Sequence, residues 1–336
     1  MPLPLKPHNG LSKKSGKIIV YMIQKIKKQT HWRIIQLTGL VFVCGFMQLS
    51  QTAAQITPLA TQYYQNQYVG NPALAGMSEN LIVNLDYRNQ WRAIPGSPVT
   101  QSFTADYKIK EKVGVGLNLY NDKAGLIRRT RVMGSYAYHL PLNGEKRSVH
   151  FGLSVGALIE RLDDGSVIAA PNDISAARYN ERKAYLDGDF GIAYISDKLT
   201  LQGALPNLKK FLKKDISNSA DGSTYFLSVA YNMGKDNDMV ALEPKLYIRG
   251  ARGFNNLWDL GTAIKFPNNL ISLVGMYHSS KSTTLGFELN IENRVFFHGF
   301  YSSQLAALGE DTGGSFEIGF QLPLNIIKLT PANQGK

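Results

Sequence analysis

A serine near the middle of the chain lies in a pattern associated with nucleophilic catalysis. The stretch Gly152-Leu153-Ser154-Val155-Gly156 matches G-x-S-x-G, in which a sharp strand-to-helix turn exposes the serine for attack on a carbonyl carbon. Such a serine also needs a histidine and a carboxylate, and spacing alone assigns neither. The motif falls inside a strictly alternating apolar and polar stretch, with Gly152, Ser154 and Gly156 on one parity. This strand context favours a coincidental match.

Histidines and carboxylates are the other residues that could do chemistry. His139, His150, His278 and His298 lie one per predicted strand, and they lack the local spacing of a metal site. Asp187 shares a parity with Asp189, but the spacing of an EF-hand calcium loop is missing. We interpret all of these as ordinary polar side chains. The sequence therefore predicts no catalytic residue, no metal site and no cofactor.

The elements that carry these residues are strands with one apolar and one polar face. Between Asn80 and Ile109, apolar residues alternate with polar and charged ones on both sides of a Gly/Pro-rich connection at 93–98. Successive strand side chains point to opposite faces. Asp86 and Arg88 could not lie unpaired in a dry core, whereas the opposite face is too continuously apolar for water. A sheet that separates lipid from water satisfies both observations.

The same alternation predicts strands to the end of the chain. After this hairpin they are Val113–Tyr120, Val132–Leu140, Val149–Ile159, Ala184–Ile195, Lys198–Leu205, Thr224–Asn232, Met239–Gly250, Asn256–Phe266, Leu270–Ser279, Thr283–Ile291, Arg294–Ser302 and Ser315–Leu322. The total of about fourteen is even, as single-chain bacterial barrels require. We therefore expect an all-β membrane protein, a transmembrane antiparallel β-barrel of about 14 strands.

The connections between these strands alternate in length. The short set is 110–112, 141–147, 196–197, 234–238, 267–269 and 292–293. The interleaved set includes the long connections 162–183, 206–223 and 303–314. Outer-membrane barrels have short periplasmic turns and longer outer loops. We therefore expect the chain in the cell outer membrane, with its N- and C-terminal ends in the periplasm.

The first 54 residues differ in kind from the rest. They contain eight Lys/Arg and no acidic residue, and an apolar run from Ile34 to Leu49 is followed by small residues. This pattern predicts an export signal cleaved near Ala54, with Met22 as an alternative start. A transmembrane anchor is the alternative, although the run is short for spanning. The expected organisation is an N-terminal extension and signal at 1–54, a periplasmic lead-in at 55–79, the barrel at 80–323 and a tail at 324–336.

The positive charge of the chain belongs mainly to that discarded segment. The chain has 37 basic and 25 acidic residues, a net charge of +12; without the eight basic residues of 1–54 it is +4. Nucleic-acid binding, which a basic pI would suggest, therefore loses its support. The expected surroundings of the mature protein are the outer-membrane lipid bilayer and protein partners.

Several short stretches resemble the PorP/SprF family of type IX secretion system membrane proteins of Bacteroidota. They are Gln62-Tyr63-Tyr64, Gly70-Asn71-Pro72-Ala73-Leu74-Ala75-Gly76, Tyr87-Arg88-Asn89-Gln90-Trp91, Pro98-Val99-Thr100-Gln101-Ser102, Val113-Gly114-Val115-Gly116, Asn121-Asp122-Lys123-Ala124-Gly125 and Leu205-Pro206-Asn207-Leu208. The first two look like the family's "QY…NPAxAG" opening, and the third like its first-strand "YRNQW". The resemblance extends in order from Gln55 to the end.

This resemblance implies a non-enzymatic outer-membrane component of the type IX secretion system. Its implied role is export or surface display of cargo with C-terminal signal domains, for gliding or adhesion, and its implied partners are other type IX subunits and those cargo domains. Our candidate partner-binding residues are Asn71, Pro72, Arg88, Asn89 and Trp91. A general porin-like solute channel remains an alternative, and an outer-membrane lipid esterase built around the serine motif is a weaker one.

The opening segment has two competing interpretations. The sequence Asn71-Pro72 favours an extended or turn geometry before proline, and the flanking glycines relax the backbone. We hypothesise that Tyr63–Gly76 plugs or lines the barrel mouth, or docks periplasmic components. Alternatively, this segment is a structural lead-in that only closes the seam of the barrel.

Overall fold

The computed structural model describes residues 61–142, 146–162, 180, 184–208, 225–234, 240–250, 256–266, 270–303 and 313–325. Within these ranges the chain forms a closed barrel of fourteen strands around a short, mostly helical segment. None of the helices in the described ranges has the length and apolarity needed to cross a bilayer.

The strands follow one another around the barrel in chain order. They are β1 (Leu81–Gln90), β2 (Val99–Lys110), β3 (Val113–Ala124), β4 (Ile127–Pro141), β5 (Arg147–Leu162), β6 (Tyr185–Ser196), β7 (Leu199–Leu205), β8 (Tyr225–Tyr231), β9 (Ala241–Gly250), β10 (Leu257–Lys265), β11 (Ile271–His278), β12 (Ser282–Ile291), β13 (Val295–Ser302) and β14 (Ser315–Leu324). Each pairs antiparallel with its neighbours, and β1 pairs with β14 to close the ring. The all-β barrel prediction and its strand number are confirmed.

The two faces of each strand differ as the alternation predicts. On the outside, apolar side chains such as Leu85, Val155 and Leu285 are 46%, 59% and 70% exposed. On the inside, polar side chains such as Asp86 and Thr104 are buried. An outward apolar surface around a polar interior is typical of a barrel in lipid.

The two rims of the barrel carry different connections. At one rim, the turn rim, lie the strand ends that are joined by 111–112, 142–146, 197–198, 232–240, 266–270 and 292–294, together with the start of β1 and the end of β14. At the other rim, the loop rim, β1 and β2 are joined by 91–98. Most of the predicted long loops of this rim lie outside the described residues. The loop rim also contains the tight turns 125–126 and 279–281. The turn at 125–126 is tight because β3 and β4 extend further than their apolar parity indicates.

A segment before β1 lies inside the ring of strands. This inner segment, Thr61–Gly76, contains helix α1 (Gln62–Gln65) and two 3₁₀ turns, Gln67–Val69 and Pro72–Leu74. The described part of the predicted lead-in, from Thr61 to Gly76, contacts strands on all sides of the barrel, and the hypothesis that Tyr63–Gly76 plugs or lines the barrel includes such a location. Its polar and aromatic side chains suit this location because the barrel wall around them is polar.

Candidate functional site

The inner segment keeps its shape through local signals in its sequence. The Asn71 side chain caps the second 3₁₀ turn by accepting a hydrogen bond from the Ala73 amide at 3.0 Å. Pro72 occupies the first position of that turn, where its missing N–H costs nothing. Gly76 has a φ of +69°, which a glycine adopts without strain, and the chain turns there towards β1.

An aromatic and charged clamp holds the first part of the inner segment. The Tyr63 hydroxyl donates to the Asp259 carboxylate, which also pairs with Arg249 at 2.7 Å and His278 at 2.7 Å. The Tyr63 ring packs edge-on against Tyr247, with the ring centroids 4.3 Å apart. Burial raises the pKa of Tyr63 well above its ordinary value. The phenol therefore stays protonated and remains a donor at neutral pH.

The neighbouring residues of the segment make similar contacts. Lys245 Nζ lies 4.3 Å from the centre of the Tyr64 ring, a cation–π distance, and it donates to the Tyr64 carbonyl at 3.3 Å. Glu243 pairs with Lys245 at 2.9 Å and balances its charge. The Thr61 hydroxyl donates to the Glu317 carboxylate on the last strand. Side chains from β9, β10 and β14 thus hold residues 61–64.

The middle of the segment is held by neutral hydrogen bonds. The Asn66 amide donates to Thr104 Oγ1 at 2.7 Å, and the Gln202 amide donates to the Gln67 side-chain oxygen at 2.6 Å. The Tyr68 hydroxyl and Ser135 Oγ are 2.8 Å apart. A net hydrogen bond contributes about 0.5–1.5 kcal/mol, while removing one partner of a buried pair costs about 1–3 kcal/mol. These contacts make the segment part of the folded interior.

The serine motif takes part in the same interior network. Ser154 lies within extended β5, and its Oγ is 2.7 Å from Ser135 Oγ, the atom that also contacts Tyr68. The sharp strand-to-helix turn of a nucleophile elbow is therefore not formed at this position. Both glycines of the motif have packing roles. A Cβ atom at Gly152 would overlap the backbone of Pro72 and Ala73, and a Cβ atom at Gly156 would overlap the Val132 carbonyl oxygen.

The second part of the segment lies in a recess made by glycines of three strands. A Cβ atom at Gly114, Gly152 or Gly191 would overlap backbone or side-chain atoms of residues 71–76. The Asn71 amide donates across this recess to the Ile192 carbonyl at 3.1 Å. Wall glycines thus let the backbone of the segment approach the backbone of the sheet closely.

A histidine pair and a carboxylate fix the end of the segment near the turn rim. The Gly76 amide donates to Asp106 at 2.8 Å. His139 Nε2 donates to the Ala75 carbonyl at 3.1 Å, and its Nδ1 is 2.5 Å from His150 Nδ1. With its Nε2 protonated, neutral His139 accepts at Nδ1 from His150. The exit of the segment towards β1 is therefore anchored on both sides.

Together these contacts anchor the inner segment along its length from Thr61 to Gly76. Beside Tyr64, Gln65 and Gln67 remains a cavity of about 170 Å³. Its wall carries the charged side chains of Glu243, Lys245, Lys265 and Glu288. The arrangement holds a chain segment inside the barrel and leaves a small polar space beside it.

The structure divides the five candidate partner-binding residues into two groups. Asn71 and Pro72 are buried in the glycine recess. Arg88 is also buried, with its Nε 3.9 Å from Glu317. Asn89 accepts a hydrogen bond from Ser97 at 3.2 Å, and Trp91, with φ +54°, donates its backbone N–H to Gly314 at 2.7 Å. Only Asn89 and Trp91 are at the loop rim with partly exposed side chains.

Two side-chain clusters in the structure were not predicted from the sequence. In the first, Asp259 contacts His278 Nδ1 and His278 Nε2 contacts Thr284 Oγ1, each at 2.7 Å. This order matches a catalytic triad, but Thr284 is fully buried and its hydroxyl contacts Ser302 at 2.7 Å. In the second, Asp86, His298 and Glu317 meet. The shared inward parity was the available signal in both cases, but parity does not specify which strands are neighbours.

Comparison with known proteins gives a family and a set of similar barrels. A family model described as "Type IX secretion system membrane protein PorP/SprF" matches residues 52–322. The curated proteins contain no match to this sequence.

Similar solved structures include Omp33 of Acinetobacter baumannii, which is 10% identical with a TM-score of 0.45 and aligns over 74% of this chain and 100% of that chain. The CymD monoaromatic hydrocarbon channel is 14% identical with a TM-score of 0.46, over 82% of this chain and 95% of that chain. The KdgM porin is 9% identical with a TM-score of 0.34, over 73% and 99%. Similarity at this level carries no functional argument.

Proposed function

We propose, because this chain belongs to the PorP/SprF family of type IX secretion system membrane proteins, that it takes part in the export or surface display of cargo with C-terminal signal domains. The family match and the outward apolar surface support an outer-membrane location. We place the turn rim, and with it the tail that follows β14, in the periplasm, because short turns are typical of that side. Other type IX subunits and the cargo domains are the proposed partners.

The observation that carries this proposal is the family match over residues 52–322. The inner segment is consistent with it, since residues 61–76 take up space inside the barrel that a freely diffusing solute would otherwise use. Cargo would then meet the protein at its rims, unless the inner segment leaves the barrel. We therefore propose that Asn89 and Trp91, which lie at the loop rim, contact partners. Asn71 and Pro72, which lie in the glycine recess, would instead hold the inner segment.

An affinity pull-down from native outer membranes tests the proposal. We expect type IX subunits and proteins with C-terminal signal domains to be enriched over the background of an unrelated outer-membrane barrel. Trp91→Ala should reduce this enrichment, whereas Trp258→Ala, the same change elsewhere near the loop rim, should not. Equal recovery with the unrelated barrel would refute the proposed function.

The alternative, a porin-like solute channel, is favoured by one observation, the charged cavity beside Tyr64. Planar-bilayer conductance separates the two functions. We expect little conductance from the intact protein and an ion-conducting pore after deletion of Tyr63–Leu74. Steady conductance of the intact protein, together with an empty pull-down, would support the channel.

The same deletion tests what the inner segment does. Loss of secretion by a correctly folded deletion variant would support a functional segment. Normal secretion with an intact barrel would leave only a structural lead-in. For the lipid esterase, unchanged behaviour of Ser154→Ala would remove the remaining support.

A further inference from the structure

Three inward-facing side chains converge where the barrel closes. Asp86 lies on β1, His298 on β13 and Glu317 on β14, so they belong to three adjacent strands around the seam between the first and last strands. One oxygen or nitrogen from each lies within 4.8 Å of the others. All three are buried, with His298 and Glu317 each only 2% exposed.

A glycine on the middle strand makes this approach possible. Gly319 of β14 is paired with Asp86 on one side and with His298 on the other. A Cβ atom at this position would overlap both the carboxylate oxygen and the imidazole nitrogen. The two side chains therefore meet above Gly319, with Asp86 Oδ1 2.8 Å from His298 Nε2.

Each carboxylate has one oxygen that accepts a hydrogen bond from a hydroxyl group. Asp86 Oδ2 accepts from Ser102 at 3.2 Å, and Glu317 Oε2 accepts from Thr61. Glu317 Oε1 is buried and makes no hydrogen bond to any described residue. A buried carboxylate oxygen without a hydrogen-bond donor is costly. Carboxylates that bind metal ions are typically supported by outer hydrogen bonds like those from Ser102 and Thr61.

We propose that Asp86, His298 and Glu317 form a binding site for a divalent transition-metal ion. Two carboxylates and one imidazole match the ligand preferences of Zn²⁺ and neighbouring first-row ions, and they balance the charge of a divalent cation. The ion would connect three strands across the seam. Through the Thr61 contact to Glu317, it would also support the start of the inner segment.

Arg88 limits the affinity that such a site can have for a metal ion. Its Nε lies 3.9 Å from Glu317 Oε2, the oxygen that also accepts from Thr61, so part of the carboxylate charge is already balanced. The competing arrangement is a metal-independent network, in which His298 donates to Asp86 and Arg88 neutralises Glu317. Metal titration distinguishes these two arrangements.

The test is titration of the purified, detergent-solubilised mature protein with Zn²⁺ by isothermal calorimetry, after chelator treatment. We expect binding that His298→Gln weakens by more than the roughly 10- to 100-fold seen on losing an outer hydrogen-bond partner. The matched control is His278→Gln, which removes another buried imidazole of the interior. Equal weakening by both variants, or wild-type binding no tighter than that of His298→Gln, would overturn the site.

A second measurement avoids dependence on any variant. Co²⁺ added to the wild-type protein should give the visible absorption bands of a cobalt ion with nitrogen and oxygen ligands, and Zn²⁺ should displace it. A wild-type spectrum identical to that of Co²⁺ in buffer would also overturn the proposal. Neither result bears on secretion, so failure of the metal site leaves the proposed function intact.

Discussion

Filling the glycine recess should displace the second part of the inner segment, residues 71–76, from its position. In Gly152→Ala, the new methyl group would overlap the backbone of Pro72 and Ala73. Backbone atoms cannot rotate away as the end of a flexible side chain can, so the turn at 72–74 must withdraw. The recess contacts next to it, such as the Asn71 bond to the Ile192 carbonyl, would weaken at the same time.

The expected size of this effect follows from the cost of overpacking. Inserting a methylene or methyl group into a packed interior costs about 1–3 kcal/mol. If that cost falls on the closed state alone, the population with a withdrawn segment rises by about 5- to 150-fold. The clamp around Tyr63 should still hold residues 61–64, so we expect partial release of the segment rather than unfolding of the barrel.

Thiol labelling provides the assay. Leu74→Cys puts a smaller side chain at a buried position of the segment, and Cys44, the only native cysteine, lies in the predicted signal. A charged, water-soluble thiol reagent should label Cys-substituted protein faster in the Gly152→Ala background. The matched control is Gly134→Ala on the adjacent strand, where the nearest atom to a new Cβ is 3.9 Å away. Equal labelling rates in two folded variants would refute the recess argument.

Three further predictions concern the clamp, its protonation and the lipid-facing surface. Tyr63→Phe removes the hydrogen-bond donor to Asp259. Because a hydrogen bond to a charged group is worth about 1.5–3 kcal/mol, thiol labelling at position 74 should accelerate by roughly 10- to 150-fold. An unchanged rate would show that this bond does not hold the segment. Burial raises the pKa values of Tyr64 and Tyr68 in the folded protein. Their stabilisation of the buried inner segment is therefore complete below about pH 10, and it is lost as the pH rises further because the exposed phenols then ionise. Planar-bilayer conductance should therefore increase above about pH 10 and stay constant between about pH 7 and 9, and a rise already in that lower range would contradict this cause. Leu285→Arg puts a charge at an outward position that is 70% exposed. Such a charge costs between about 0–1 kcal/mol near the interfaces and about 2–4 kcal/mol at the bilayer midplane. The barrel should therefore unfold at a lower temperature in a heat-modified gel shift, whereas Leu285→Met should not change it.

The tertiary structure alone decided which strands hold the inner segment and which side chains make the contacts. Thr61 reaches Glu317, which is 256 residues away in the chain, and Tyr63 reaches Asp259. The sequence indicates a turn around Asn71-Pro72 but not that glycines of β3, β5 and β6 form a recess for it. Long-range contacts of this kind depend on strand register and barrel closure, and neither is encoded in a local pattern.

The same reason explains the candidate sites. The histidines are isolated from one another in the sequence, because each lies on its own predicted strand. The barrel pairs His139 with His150 across β4 and β5, and it places His298 next to Asp86 across the seam. Conversely, Asn71 and Trp91, both candidate partner-binding residues, occupy the glycine recess and the loop rim respectively.

By itself, the sequence determined the barrel and its strand number. A period of two residues reports which side chains face lipid and which face the interior, because hydrocarbon excludes charge along the whole outer surface. Leu85 and Asp86 are adjacent in the chain and lie on opposite faces for this reason. Which interior side chains meet, and which of them hold the inner segment, was decided only when the strands closed into a ring, since that closure brings distant residues to one polar interior.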